Sequence, residues 1–448
     1  MVFLFLGLIF FEPSIRKAHR SLLRTYTNID PQVIKSIYFC VSDLCLVGGL
    51  LYLLLFSRLF KHQERFPLFW TALTSLSLLT STLHGPIPSN LFHGTHLFFW
   101  FACFSAYLLV RFWIQKEGEV LVTICRCLSI FSCFQAVVAL FQYFSKGYVG
   151  LHILGELKGD FPGSLPLIQA IWQGIFDWIR QWGGDRATTF FRTAGTFDHP
   201  NILAGFLVCG ILASFVCWEL SCRKGVHFLG VFLQIGALFT TFSRAGLLVL
   251  LVTSAIFCGF RKRTLLMGTY LLFCFLFFTY SFLPEIRVRG GIVNHNTVSH
   301  HSNQERMVAM KNAVWMIIKR PVWGLGVGNF SSVSERETGN LTQVHNIYLL
   351  LIAEFGIVGA SLLGGLFFFS FLSGWNGRED SATFGLLMIF TALCLLGLFD
   401  FYPIVSHKMR LFFFALPACL CKEHVALSKL QLHPRKQGVT EIGDVHIS

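Results

Sequence analysis

Residues 224–263 read KGVHFLGVFLQIGALFTTFSRAGLLVLLVTSAIFCGFRKR, and between Lys224 and Arg261 the single formally charged side chain is Arg244. The stretch is long enough for two membrane crossings of roughly 20 residues each. At its centre, Thr240-Thr241-Phe242-Ser243-Arg244-Ala245-Gly246 reads as a hairpin turn. A guanidinium at mid-membrane costs about 2.5–3.5 kcal/mol on insertion scales, so Arg244 either reaches water at the turn or meets an anion.

The rest of the chain has the same character. Of 448 residues 54% are hydrophobic and 13% charged, with a mean hydropathy of +0.62, far from the mix of a soluble domain. Together with the two runs of this stretch, 226–242 and 246–260, apolar runs lie near residues 37–57, 66–83, 91–110, 120–145, 201–219, 264–283, 345–372, 382–400 and 403–421. The pattern predicts an all-α polytopic transmembrane helical bundle of about 11–12 spans. Residues 2–11 form an apolar run of about half the spanning length, with no small-residue cleavage site after it, so it is not read as a signal peptide.

A formal charge of +13 could point to nucleic acid, but in a membrane chain a basic excess first marks cytoplasmic loops. Arg58 to Lys61, Arg111 with Lys116, Arg223-Lys224, Arg261-Lys262-Arg263 and the tail from Lys422 to Lys436 fall on one side if the spans alternate. Nucleic acid is therefore not an expected partner, whereas membrane lipids are. The reading divides the chain into residues 1–36 (an apolar run and a basic segment), an integral membrane domain over 37–421, and a cytoplasmic basic tail over 422–448. Loops 146–200 and 284–344 then lie on the extracytoplasmic side, as does the Arg244 turn. Arg16, Lys17, Arg20 and Arg24 on one side of this scheme, and Lys408 with Arg410 near the outer end of the last span, fit the alternation poorly.

The cysteines lie in or beside the spans and form no CxxC pair, which argues against a disulfide framework and against zinc or iron-sulfur sites. In the second outer loop, Met307, Met310, Val314, Ile317 and Ile318 recur at helical spacing from Asn303 to Arg320, so the large extracytoplasmic loop contains a helix. Pro321 ends it, and Gly324-Leu325-Gly326-Val327-Gly328-Asn329 reads as a flexible connection. Its GxGxG pattern lacks the βαβ context of a nucleotide loop.

Three arrangements are expected on the outer face: Arg192 to Asn201 (RTAGTFDHPN), Ser243-Arg244-Ala245-Gly246, and Val344-His345-Asn346-Ile347-Tyr348. Singly, each has a plain structural reading: an interface anchor, a snorkelling arginine, and a helix start capped by Asn346. Asp198-His199 alone is too sparse for a metal site. Together, two arginines supply permanently charged forks for phosphate oxygens, and an imidazole can accept a proton at neutral pH. Those groups suit displacement of a diphosphate by a hydroxyl. Without a DxD motif or carboxylate cluster, arginine would take the part of a metal in stabilising the leaving group, and neither a metal nor another cofactor is expected. Glu354, within a span, is expected to make a structural hydrogen bond, and Asp43 and Asp400 near the outer face could offset the arginines.

With the long outer loop before His345 and Glu-x-Gly-x-x-Gly at 354–359, these motifs resemble the O-antigen ligase and O-antigen polymerase superfamily over about residues 190–410. The resemblance implies an inner-membrane bacterial glycosyltransferase that takes glycan from an undecaprenyl-diphosphate carrier, with its active site on the periplasmic side. It implies that Arg192 and Arg244 bind the donor diphosphate, that His345 assists the acceptor hydroxyl, and that the reaction inverts the anomeric carbon. Arg306 matches a basic position of such loops and is expected to bind substrate with Asn201 and Asn346. The acceptor is expected to be lipid A-core, as in lipopolysaccharide biosynthesis. Alternatives are a growing glycan, as in an O-antigen or exopolysaccharide polymerase, and a protein, as in an O-oligosaccharyltransferase. A transporter is the competing class, and the chain shows neither the repeat symmetry nor the paired broken helices that would favour it.

Overall fold

A computed structural model describes residues 90–116, 119–151, 154, 156, 167–180, 191–221, 224–289, 298–339 and 343–421. The spans expected near 37–57 and 66–83, the segment 1–36 and the tail 422–448 lie outside the described residues. Within them the chain is helical, without strands: α1 (Asn90–Lys116), α2 (Val120–Ser145), α3 (Leu167–Arg180), α4 (Pro200–Leu220), α5 (Lys224–Thr241), α6 (Arg244–Phe260), α7 (Leu265–Ser281), α8 (Leu283–Arg289), α9 (Val298–Lys319), α10 (Phe330–Thr338), α11 (Ile347–Asn376), α12 (Ser381–Leu396), α13 (Tyr402–Val405) and α14 (His407–Leu420). Among these, α2, α4, α11 and the stretch Lys262–Ser281 are long and apolar enough to cross a membrane, and the shorter α6 and α12 are apolar as well. This is an all-α, polytopic membrane architecture.

Helix α4 is the axis. Pro200 sits in its first turn, where a missing N–H costs nothing, and nearly all of its length is buried against α2, α5, α6 and α12. A helix apolar on every side and buried on every side belongs at the centre of a bundle. Around it, α6 and α7 expose Leu248, Val252, Leu272, Phe273 and Leu276, apolar side chains that a bilayer would cover. The α5–α6 hairpin expected at Arg244 is present. Phe242 takes a left-handed φ of 50°, and Ser243 caps α6 by accepting from the Gly246 N–H.

Charged groups sort to the two ends. At one end Arg261 donates to the Arg378 and Glu379 carbonyls, and Arg111 donates to the Cys421 carbonyl. At the other end the 191–199 loop, the α5–α6 turn, the start of α11 and the α12–α13 connection meet. Lys408 lies at this second end, its Nζ 3.1 Å from the Thr196 carbonyl oxygen. The last expected span is not continuous: α13 and α14 are separate helices hinged at Ser406, and Arg410 N–H restarts the ladder on the Ser406 carbonyl.

The second outer loop departs from expectation twice. Helix α9 runs from Val298 to Lys319, and its buried face is Ala309, Ala313 and Met316, whereas Met307, Met310, Val314 and Ile318 are exposed. The glycine-rich segment after it is packed rather than flexible. Leu325 N–H donates to the Ala353 carbonyl, Gly326 N–H to the Glu354 carbonyl, and Ile357 N–H to the Pro321 carbonyl. Residues Gly324, Gly326 and Gly328 all have positive φ, and a Cβ on Gly324 would run into the α11 backbone. Phe330 N–H reaches the Glu354 carboxylate at 3.4 Å. The glycine loop thus turns toward a carboxyl group that the chain supplies itself. These bonds dock where α11 breaks, at Gly356 with φ 66° and ψ 179°.

Candidate active site

The site starts from α2. Gln135 and Gln142 are seven residues apart and therefore share a helix face. Gln142 Oε1 accepts from the Ala194 and Gly195 N–H groups, and its Nε2 donates to the Gly195 carbonyl at 2.9 Å and to Glu156 Oε1 at 2.7 Å. Gln135 closes on Thr196 in the same way, Nε2 to Oγ1 and Oε1 from N–H. Gly195 has a φ of 58°, and a Cβ there would strike Gln135 Oε1. On the other side, Thr193 N–H donates to the Thr240 carbonyl and the two threonine hydroxyls lie 2.7 Å apart. The loop carrying Arg192 is thereby held on two faces by buried hydrogen bonds.

Arg192 donates through Nε to the Thr241 carbonyl at 2.9 Å and through Nη2 to Asn201 Oδ1 at 2.8 Å. Asn201 Nδ2 donates in turn to Asp400 Oδ2 at 2.7 Å. The other carboxylate oxygen, Oδ1, accepts from the Phe401 N–H at 2.9 Å and lies 3.2 Å from His345 Nδ1. His345 leans edge-on against the Phe401 ring and keeps 31% of its side chain exposed. A continuous relay, Arg192 to Asn201 to Asp400 to His345, therefore joins two of the three motifs expected on the outer face. Asp400 reads in sequence only as a possible counter-charge, and the structure makes it the hub.

Burial raises the Asp400 pKa, but hydrogen bonds from His345 and Asn201 outweigh it and hold the carboxyl below its ordinary value. It is an anion at neutral pH. Burial pushes Arg192 down to about 10, with Asp400 opposing and Arg306 adding to the shift, so the guanidinium remains charged. Arg306, on α9, donates to the Phe399 carbonyl at 3.3 Å, and its buried Nε makes no hydrogen bond among the described residues. Its charge acts on both Arg192 and His199. His199, exposed by its accessible surface, is held below its ordinary pKa by partial desolvation and then by Arg192.

Other expected residues fall differently. Arg244 opens α6, three residues after the carbonyl that holds Arg192, and its side chain is exposed; no hydrogen bond or ion pair joins it to Arg192 or His345 among the described residues. Asn346, expected to bind substrate, instead commits its amide to the backbone. Its Oδ1 accepts from Tyr348 and Leu349 N–H, and its Nδ2 donates to the Leu398 carbonyl. It fixes the entry of the chain into α11 and so the placement of His345. Glu354, bonded to the glycine loop, stands apart from the relay.

One end of this polytopic helical bundle thus gathers Arg192 and Arg306, a carboxylate-bound imidazole and the further, exposed Arg244. Residues 229–364 match the family model described as O-Antigen ligase. The resemblance to the O-antigen ligase and polymerase superfamily holds over the segment that includes Arg244, Arg306, His345 and Glu354, and the family supports glycosyl transfer in polysaccharide biosynthesis. Arg192 and Asn201 precede the matched segment. Among curated proteins, none matches the chain.

Proposed function

We propose that this protein transfers glycan from an undecaprenyl-diphosphate carrier to an acceptor hydroxyl, specifically O-antigen to lipid A-core, at the periplasmic face of a bacterial inner membrane. The observation that carries the reading is the Arg192–Asn201–Asp400–His345 relay. Asp400, an acceptor only, keeps the His345 proton on Nδ1 and leaves a lone pair on Nε2. That nitrogen takes the proton of the acceptor hydroxyl as its oxygen attacks the anomeric carbon. The bond from that carbon to the phosphate oxygen breaks, its electron pair stays on the diphosphate, and backside attack inverts the centre. The Arg192 fork, with Arg244 and Arg306, bears the charge that develops on the leaving group, as guanidinium donors do for a developing phosphate anion.

The role of Arg244 rests on position rather than contact. Its exposed guanidinium has no hydrogen-bond acceptor to leave among the described residues and can swing onto a bound diphosphate. Reconstitution with labelled undecaprenyl-diphosphate glycan and separate acceptors tests the reading. Label on lipid A-core supports a ligase. A ladder of longer carrier-bound chains would make the protein a polymerase, label on a polypeptide would make it a protein glycosyltransferase, and no transfer to any acceptor would remove the reading.

A further inference from the structure

His199 and His345 both stand at this end of the bundle, and their hydrogen bonds fix opposite tautomers. His345 presents Nδ1 to Asp400 Oδ1 at 3.2 Å, so the proton is on Nδ1. His199 is reversed. As N-cap of α4 its Nδ1 accepts from the Asn201 N–H at 3.1 Å, so the neutral ring carries its proton on Nε2, across the ring from the helix. Partial desolvation and the Arg192 charge hold His199 below its ordinary pKa, Arg306 and His345 act in the same direction, and Asp400 opposes them. The ring is neutral at neutral pH.

Capping alone does not call for histidine at this position, since Asn, Asp and Ser cap better. What histidine adds is a donor on its far edge, in a neighbourhood that already holds two guanidinium groups. An N–H donor among cations complements an anion. We propose that His199 is a further substrate-binding residue, its Nε2–H donating to a non-bridging oxygen of the carrier diphosphate beside Arg192 and Arg306. This rests on the proposed function and extends the diphosphate site from arginines to a neutral donor.

Asparagine and glutamine separate the two edges of the ring. His199→Asn places Oδ1 where Nδ1 stood and keeps the cap but has nothing at the Nε2 position. His199→Gln reaches that position with an amide N–H and caps less well. The full chain is reconstituted in nanodiscs and titrated with undecaprenyl diphosphate alone, with Arg192→Ala in parallel. His199→Asn is expected to melt like the parent and to bind undecaprenyl diphosphate about tenfold more weakly, as for loss of one hydrogen bond to a charged group. His199→Gln is expected to regain part of that loss. Parent-like affinity in His199→Asn overturns the assignment while leaving the site intact. A parent protein that does not bind undecaprenyl diphosphate, or an Arg192→Ala variant that binds as the parent does, overturns the diphosphate site itself.

Discussion

Replacing Asp400 by asparagine changes one atom and removes one charge, and the hydrogen bonds around the carboxylate dictate the consequences. It accepts from the Phe401 N–H, from Asn201 Nδ2 and from the imidazole of His345. An amide has one oxygen for these partners. If that oxygen stays with Phe401 and His345, an NH2 group faces the NH2 of Asn201. Asn201 can then escape only by flipping, which turns a donor toward Arg192 in place of the acceptor it has at 2.8 Å. If the oxygen turns to Asn201 instead, His345 Nδ1 faces a donor and the ring adopts the tautomer whose Nε2 is protonated and unable to act as a base. Either way one hydrogen bond involving a charged group is lost, worth about 1.5–3 kcal/mol. At 1.36 kcal/mol per tenfold, that is a loss of roughly 10- to 150-fold in transfer rate, and more where the tautomer is wrong. The assay is transfer of labelled glycan from its carrier by full-length protein in nanodiscs, normalised to folded protein by size-exclusion profile. Parent-like turnover by Asp400→Asn would refute the relay as a working device and reduce it to a structural contact.

Arg244→Ala should cut transfer at least about tenfold while shifting stability by no more than about 0.5 kcal/mol, because the side chain is exposed and away from the packed core; thermal melts and turnover of one preparation decide it. Gln142→Leu should do the reverse in part, lowering stability by about 1–3 kcal/mol for each buried N–H left unsatisfied at Ala194 and Gly195 and weakening diphosphate binding as the Arg192 loop loosens. His199 and Asp400 both titrate below their ordinary values in the folded chain, so each contributes stability that is present above its unfolded pKa and lost as pH falls through the folded one. Melting temperature should therefore drop from pH 7.5 toward pH 5 through His199, and His199→Asn should flatten that part of the curve. Gly356→Ala places a side chain at φ 66° against the Val322 carbonyl and should cost at least about 1–3 kcal/mol, read as poor recovery from detergent.

Every span expected between residues 91 and 421 meets helix in the structure, because run length and the absence of charge are local properties that hydropathy records directly. The last one fails in detail. Ser406 breaks it between α13 and α14, and Lys408 is drawn to the Thr196 carbonyl, a partner 212 residues away. Periodicity in α9 is equally legible, but it says only that the apolar residues share a face, not whether protein or lipid covers that face. In a soluble chain Met307, Val314 and Ile318 would turn inward; here Ala309 and Ala313 do, since small residues allow the closer approach. Asp400 is visible in sequence as a charge near the outer boundary. Its bonds to Asn201 and His345 depend on the depth at which three helices end, which no single segment encodes. His199 stands out in sequence only as half of a weak metal pair with Asp198, although its place just before Pro-Asn at a helix start is the signal for a cap.

The break at Gly356 also sets a height. From Ile357 to Asn376 the helix runs about 29 Å at 1.5 Å per residue, close to the ~30 Å hydrocarbon thickness of a bilayer. If the lower part of α11 spans that layer, the stitched joint at Pro321 and Ile357 marks its upper surface. His345, Asp400 and Arg306 then stand among the headgroups, and the exposed apolar arc of α9 rests on the lipid beside them. A polyprenyl carrier would not have to leave the membrane to react. Extracting such a chain would forfeit about 0.8 kcal/mol for each methylene brought into water, tens of kcal/mol in all. Under the proposed function, a site at this height would leave the tail solvated by lipid throughout catalysis and would act on the diphosphate as the carrier diffuses past in the plane of the bilayer.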